Sequence, residues 1–182
     1  LKVEHIQMPF PESAKIVCFA SIFVFPKIGP DKLVQIFSQA KMQGKIVCAD
    51  MTKRKKGETL EDMAEAFSYI DYLFPNDEEA MLLTESVEEA AECIKSTGVG
   101  NVIIKCGKRG CYIRTDVEKC WIAAEENVNC IDTTGAGDSF AAGFLNALLD
   151  GNGVKRCAKE GNRYDAEAVQ HIGATAWLND GL

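Results

Sequence analysis

Residues 132 to 144, DTTGAGDSFAAGF, place two aspartates around a glycine-rich turn, and apolar residues at helical spacing follow. This spacing predicts a helix that begins near Ala136 or Gly137, with Asp138 in its first turn. The first turn of a helix has main-chain N–H groups without intrahelical partners, and these groups carry partial positive charge. Small residues leave them uncovered, so the segment is predicted to bind an anion beside the Asp138 carboxylate.

An anion site next to a base suits the attack of an alcohol on a phosphoryl group. The amides would stabilise charge on the phosphoryl group, and Asp138 would accept the hydroxyl proton. Two other interpretations stay open. The turn could be structural, with Asp138 only stabilising the helix start. It could also belong to a dinucleotide-binding site of an oxidoreductase, although Phe140 replaces the third glycine of G-x-G-x-x-G.

Composition limits the class of protein. The 182 residues are enough for a single domain over 1–182, and the formal net charge of −7 argues against nucleic-acid or anionic-membrane partners. The longest apolar run, 16–25, is too short to span a membrane. No signal peptide pattern is present, and the eight cysteines include no C-x-x-C pair. The sequence therefore predicts buried free thiols and a cytoplasmic location.

Strand and helix patterns alternate along the chain. The predicted strands are 15–25, 45–50, 71–76, two within 101–115, and 119–125. The predicted helices are 30–44, about 60–70, 77–83, 86–98, about 136–150 and most of 154–177. This order predicts an α/β fold, a three-layer α/β/α arrangement with a mostly parallel sheet. Ligands bind at the carboxyl ends of such strands, where polar clusters follow in this sequence.

Several segments resemble the ribokinase-like (PfkB-type) carbohydrate kinases. The signature of that family resembles DTTGAGDSFAAGF, and its other elements resemble CADMTKR, FPNDEEA, VIIKCGKRGCYI and CAKEGNRYDAEAVQHIGA in order and spacing. The resemblance covers the chain from residue 15 onward. In CADMTKR, Thr52 stands where the family usually has asparagine, whereas Arg54 keeps the basic position.

The resemblance implies an ATP-dependent kinase that transfers the γ-phosphate to the hydroxymethyl group of a small sugar or related alcohol. Asp138 would be the general base, and the amides of Gly135, Ala136 and Gly137 would form the anion hole. A non-catalytic nucleotide-binding or regulatory relative is the alternative. The intact Gly135, Gly137 and Asp138 argue against it, because a decayed site has little reason to keep a base beside an anion hole.

The resemblance also implies a nucleotide site. Lys105 would lie near the phosphates, Gly107 and Gly110 would shape the pocket, and Asn162 would approach the adenine. The two glycines and Asn162 have simpler interpretations as well. The sequence G-K-R-G is often only a hairpin turn, and an asparagine on the surface of a helix is ordinary.

Metal sites follow from the same resemblance. Asn76 and Glu79 would organise Mg²⁺ through water, since amide and carboxylate oxygens suit this hard ion. Alternatively, the pair could be a helix N-cap with an acidic first turn. Asp132 and Thr134 match positions that help to hold a monovalent cation, such as K⁺, in several members, although Asp132 could simply end its strand.

The chain resembles only the C-terminal portion of such a kinase. In the family, the N-terminal portion carries the first strands, the lid and the residues that grip the sugar. As written, the chain is expected to turn over sugar poorly, because the lid that excludes water is missing. The lid usually makes the dimer contact, so the resemblance implies a homodimer for the full-length protein. Fructose, ribose, 2-keto-3-deoxygluconate, a sugar phosphate and a nucleoside all stay open as acceptors.

Overall fold

A computed structural model describes residues 1–52, 57 and 59–179. Within these ranges the strands are β1 (Ile16–Phe19), β2 (Ile46–Ala49), β3 (Tyr72–Leu73), β4 (Asn101–Lys105), β5 (Cys111–Arg114) and β6 (Lys119–Ile122). The α-helices in the same ranges are α1 (Pro30–Met42), α2 (Leu60–Phe67), α3 (Asp77–Ala80), α4 (Val87–Ser96), α5 (Ala136–Leu149) and α6 (Val154–Ala168). The six strands form a sheet in chain order.

Strands β1 to β4 are parallel, each to the next. Ile16 lies opposite Ile46, Cys48 lies opposite Tyr72, and Tyr72 lies opposite Asn101. The predicted α/β fold with a mostly parallel sheet is therefore confirmed. Among the described residues, no helix combines the length and the apolar character that crossing a membrane requires.

The described residues form two compact units. The first contains those of Leu1–Ile104 and Arg114–Lys119, and the second contains those of Lys105–Ile113 and from Cys120 onward. In the first unit, α1 buries Leu33, Ile36, Phe37 and Ala40, which recur at helical spacing. Gly44 follows the end of this helix with a φ of +68°. Ser86 caps α4, because its hydroxyl oxygen accepts a hydrogen bond from the Glu89 N–H at 3.2 Å.

In the second unit, α5 and α6 pack against each other at glycines. A Cβ at Gly143 would lie 2.7 Å from both the Glu160 carbonyl oxygen and the Tyr164 Cγ. Near the start of α5, the N–H of Asp132 donates to the Val169 carbonyl at 3.2 Å. Early α5 therefore lies against late α6, so the two helices are antiparallel and in close contact.

Several predicted boundaries were wrong. The strand predicted over 15–25 ends at Phe19, because Ser21 has a φ of +61°, which cannot continue a strand, and Ile22–Val24 form a 3₁₀-helix. The strand predicted over 71–76 contains only Tyr72–Leu73, since Asn76 already caps α3.

The cysteines are all unbridged, but they are not all buried. Cys48, Cys106, Cys111 and Cys157 are buried, as predicted for small apolar side chains. Others are half-buried or exposed, notably Cys18 and Cys130, which are exposed. The apolar runs therefore predicted secondary-structure elements, but they did not predict on which side of an element each cysteine thiol lies.

Asp71 connects three elements of the first unit. Its carboxylate oxygens accept hydrogen bonds from the Lys41 Nζ at 2.7 and 2.8 Å, and one of them also accepts from the Val47 N–H at 2.8 Å. Lys41 belongs to α1 and Val47 to β2, while Asp71 directly precedes β3. Val47 is fully buried, so its N–H needs this acceptor.

Asp71→Ala is expected to lower the free energy of unfolding by about 1–3 kcal/mol, because the buried Val47 N–H loses its acceptor. Lys41→Ala removes only one partner of a half-exposed ion pair and is expected to cost less than about 1 kcal/mol. Urea unfolding of both variants measures the difference. Equal losses would show that the ion pair, rather than the bond to Val47, accounts for the effect.

Candidate active site

The start of α5 is set by a left-handed glycine. Gly135 is the N-cap residue with a φ of +80°, and a Cβ there would lie 2.7 Å from the Cβ of Ala174. Glycine adopts this conformation without steric cost, and here it also allows the close approach. The helix begins at Ala136, as predicted, and its first turn contains Asp138.

The main-chain N–H groups at this helix start are only partly used. The Ala136 N–H donates to the Thr133 carbonyl at 3.2 Å, so one of the three predicted anion-hole amides already has a partner. Among the residues that the structure describes, the N–H groups of Gly135, Gly137 and Asp138 have no hydrogen-bond acceptor. Such groups at the positive end of a helix form a site for an anion.

Asp138 is exposed, whereas Ser139 and Phe140, which follow it, are buried. The buried neighbours fix the first turn against the interior of the second unit, and the carboxylate stays accessible. The arrangement thus places an accessible proton acceptor next to N–H donors, which are the two components that attack by an alcohol on a phosphoryl group requires.

Lys105, at the end of β4, contributes a positive charge to the same place. A Cβ on Gly137 would lie only 2.9 Å from the Lys105 Nζ. A side chain at position 137 would make the end of the Lys105 side chain shift, so the ammonium group lies directly beside Gly137. A cation next to the positive end of a helix is electrostatically unfavourable by itself, and a bound anion would stabilise both. The structure thus brings Lys105 to the predicted anion hole.

Asp165, on α6, is a half-buried acid that sequence reasoning missed. Burial raises the pKa of its carboxyl group, and the positive charge of Lys105 acts in the opposite direction. No motif marks this residue. The available signal was its position three residues after Asn162, which puts both side chains on one side of α6.

Asp132 orders the loop before α5. Its Oδ1 accepts hydrogen bonds from the Thr134 hydroxyl at 2.7 Å and the Thr134 N–H at 2.9 Å, and its Oδ2 accepts from the Gly173 N–H at 2.9 Å. The bond from the Thr134 hydroxyl, followed by those from the two N–H groups, lowers the pKa of Asp132. The structure therefore brings Asp132 and Thr134 together, and their binding of a cation stays a prediction.

The G-K-R-G segment is a tight turn in which the glycines differ. Gly107–Arg109 form a 3₁₀ turn, and Gly107 has open space around its Cα. Gly110 has a φ of +84°, and a Cβ there would meet the Ile122 carbonyl oxygen at 2.0 Å. Gly110 is thus required by a close main-chain approach. The turn is present, and its contact with a nucleotide stays a prediction.

Asn162 is buried, with 4% of its surface exposed. Its Nδ2 donates to the Ala123 carbonyl at 2.8 Å and to the Ile122 carbonyl at 3.3 Å. The interpretation of Asn162 as a surface residue is therefore wrong. These bonds fasten α6 to the chain that follows β6, and the predicted approach to adenine stays a prediction.

Asn76 and Glu79 belong to the first unit, where they form a capping box. Asn76 Oδ1 accepts from the Glu79 N–H at 2.8 Å, and Glu79 Oε2 accepts from the Asn76 N–H at 2.9 Å. The predicted N-cap geometry is thus confirmed. Within the described ranges, no cluster of three or more His, Cys, Asp or Glu side chains is arranged to hold a metal. Oxygen donors of this type nevertheless suit Mg²⁺, which keeps several of its waters.

The CADMTKR segment is described only in part, since Arg54 lies outside the described residues. The Thr52 Oγ1 is buried, and the described part of the chain offers it no hydrogen-bond partner. The asparagine usual in the resembling family carries an amide group on a longer side chain, whereas Thr52 carries a hydroxyl group.

Comparison with known proteins identifies the family. The model of the pfkB family carbohydrate kinases matches residues 2–180. The chain is 30% identical over 163 residues to the 2-dehydro-3-deoxygluconokinase of Haemophilus influenzae, covering 85% of this chain and 52% of that protein. It is 27% identical over 194 residues to adenosine kinase 1 of Arabidopsis thaliana, covering 96% of this chain and 56% of that protein.

The fold agrees with a solved structure. The crystal structure of the ribokinase of Thermotoga maritima superposes with a TM-score of 0.79 at 29% identity, covering 97% of this chain and 57% of that one. The chain thus spans about half the length of these relatives. The matches confirm the resemblance seen in the sequence: the chain belongs to the pfkB family of carbohydrate kinases.

Proposed function

We propose that the protein transfers the γ-phosphate of ATP to the hydroxymethyl group of a small sugar or related alcohol. The observation that carries this proposal is the Lys105 ammonium group against Gly137. It lies beside the exposed Asp138 and N–H groups that have no acceptor in the described part of the chain. Together these groups could bind a phosphate and accept the proton of an attacking alcohol. A structural turn needs neither the lysine nor the accessible acid.

In the proposed reaction, the acceptor hydroxyl gives its proton to the Asp138 carboxylate while its oxygen attacks the γ-phosphorus. The bond between this phosphorus and the oxygen bridging to the β-phosphate breaks, and ADP leaves with that oxygen. The N–H groups of Gly135, Gly137 and Asp138 donate to the phosphoryl oxygens. Lys105 offsets negative charge on the phosphates. Because the Ala136 N–H already donates to the Thr133 carbonyl, the main-chain N–H of Asp138 takes its place among the proposed donors.

Mg²⁺ is part of the proposal, with Asn76 and Glu79 organising it through water. The ion supplies charge neutralisation on the phosphates, the usual contribution of Mg²⁺ to phosphoryl transfer. Asp132 and Thr134 would hold a monovalent cation, and the hydrogen bonds between them already order that loop. Lys105, Gly107, Gly110 and Asn162 would form the nucleotide side.

The acceptor is proposed only as a class. One relative is named for a keto-acid sugar and another for a nucleoside, and both offer a primary alcohol to a kinase. We also propose a cytoplasmic location and, in the full-length protein, a homodimer.

Mg·ATP is expected to raise the melting temperature of the full-length protein, because ligands that bind the native state stabilise it. NAD is the matched control, since it carries an adenine nucleotide but no transferable phosphate. A shift with NAD and none with Mg·ATP would overturn the proposal. Phosphate transfer to a panel of sugars and nucleosides then identifies the acceptor.

Asp138→Asn is expected to lower kcat by roughly 10²–10⁴-fold, the usual contribution of a general base. Binding of Mg·ATP should change little, because the N–H donors and Lys105 remain. Steady-state kinetics and calorimetry measure the two quantities. Asp150→Asn, a change of an exposed acid at the other end of α5, is the control and should leave kcat unaltered. Full activity of Asp138→Asn would remove Asp138 from the role of base.

Asn162→Asp is expected to destabilise the protein more than Asn162→Ala, which should cost about 1–3 kcal/mol of unfolding free energy. The carboxylate would face two carbonyl oxygens, whereas alanine only leaves them without a donor. Thermal or urea unfolding measures both. Asn152→Ala, which removes one bond to the Ala147 carbonyl from an exposed residue, should cost less. If both Asn162 variants unfold like the parent protein, the bonds to the chain after β6 are not a structural requirement.

A further inference from the structure

An open cavity of about 440 Å³ lies in the first unit. Three parts of the chain form its lining: the segment around the 3₁₀-helix Val3–His5, the loop before α1, and the first turns of α1. None of the lining residues belongs to the candidate active site. A cavity of this size can enclose a small organic molecule.

The N-terminal wall of the cavity is fastened to the rest of the first unit. The Gln43 carboxamide accepts a hydrogen bond from the Phe10 N–H at 2.8 Å and donates one to the Phe10 carbonyl at 3.0 Å. The buried Lys45 donates from its Nζ to the Pro11 and Glu12 carbonyls at 3.0 and 3.1 Å. These bonds hold the N-terminal segment to the chain between α1 and β2, so the wall is part of the folded unit.

Positive charge predominates in this lining, although the whole chain carries a formal net charge of −7. Among the described residues that line the cavity, Glu4 is the single acid, and its carboxylate pairs with Lys2 at 3.1 Å. Lys27 and Lys32 also line the cavity, and neither forms an ion pair or a side-chain hydrogen bond with a residue that the structure describes. Lys32 lies in the first turn of α1, where helix electrostatics alone do not favour a cation.

The lining also offers an amide group and an apolar surface. Gln35 lies three residues after Lys32 on α1, and within the described ranges its carboxamide has no hydrogen-bond partner. The half-buried side chains of Val3, Ile6 and Met8 form the apolar part. A ligand that satisfies all of these groups carries more than one negative charge and a small apolar body.

We propose that this cavity binds a small phosphate monoester, with its phosphate group paired with Lys27 and Lys32 and its carbon body against Val3, Ile6 and Met8. A phosphate monoester carries about two negative charges at neutral pH, and lysine binds phosphate as a point charge. A carboxylate carries a single charge for the two ammonium groups. The inference does not rest on the proposed phosphate transfer, because the cavity contains none of the residues proposed for that reaction.

Acetylation of lysines in the full-length protein tests the site directly, with phenyl phosphate as the probe ligand. An N-hydroxysuccinimide ester of acetic acid modifies free amines, and mass spectrometry of the digested protein gives the rate at each lysine. Phenyl phosphate is expected to slow the acetylation of Lys27 and Lys32, since the bound phosphate covers their ammonium groups. The exposed Lys159 on α6 is the internal control and should react at the same rate with and without the ligand. Unchanged rates at Lys27 and Lys32 would overturn the inference.

Three further ligands separate the contributions of charge and of apolar contact. Inorganic phosphate lacks the ring, benzoate carries a single charge, and phenol carries no charge at neutral pH. Each is expected to protect Lys27 and Lys32 less than phenyl phosphate does. Equal protection by benzoate or phenol would contradict the assignment of a phosphate, and equal protection by inorganic phosphate would contradict the apolar contact.

Calorimetric titration with phenyl phosphate measures the contribution of the two lysines. The double variant Lys27→Gln with Lys32→Gln is expected to bind about tenfold more weakly. Lys15→Gln with Lys159→Gln removes two exposed lysines outside the cavity and should bind like the parent protein. Equal losses from the two double variants would indicate a general effect of charge and overturn the inference. If phenyl phosphate also binds at the start of α5, Lys105→Gln removes that component and leaves the protection of Lys27 and Lys32 unchanged, so each proposal can fail separately.

Discussion

The candidate functional residues depend on the positive charge that the fold places at the first turn of α5. The turn presents N–H groups that have no acceptor among the described residues, and the Lys105 ammonium lies beside them at Gly137. A bound phosphate would interact favourably with both the N–H groups and the ammonium group. In the proposed reaction, Asp138 can act as a base only because this turn holds it next to the place where such an anion would bind.

The rest of the second unit keeps this turn in place. Gly135 supplies the left-handed conformation that starts the helix, and the hydrogen bonds of Asp132 to Thr134 and Gly173 fix the loop in front of it. Close contact at Gly143 holds α5 against α6, where any side chain would collide with Tyr164. These positions require glycine or a hydrogen-bonding acid for steric and polar reasons. They define the direction of α5, which determines where its N–H groups point.

The sequence predicted what local rules control and missed what depends on tertiary contacts. Helical spacing and a glycine-rich turn placed the start of α5 correctly, because both are local properties. The burial of Asn162 and the proximity of Lys105 to Gly137 involve residues far apart in the chain, which no spacing rule connects. The predicted end of the first strand was wrong because Ser21 has a positive φ, which a strand does not allow. The resemblance of motifs predicted Lys105 as a site residue, but only the structure shows that its ammonium group lies beside Gly137.

The candidate residues differ in how far the fold alone explains their residue types. The hydrogen bonds between Asn76 and Glu79 stabilise the start of α3, so their residue types would be favoured there without any metal. Gly110 is likewise required by the main chain at Ile122. Lys105 differs, since helix electrostatics alone do not favour an ammonium group beside the positive end of α5. N–H groups that find no acceptor among the described residues at a helix start suit an anion. The contact between Lys105 and Gly137 is therefore stronger support for phosphate binding than any residue whose place the fold alone requires.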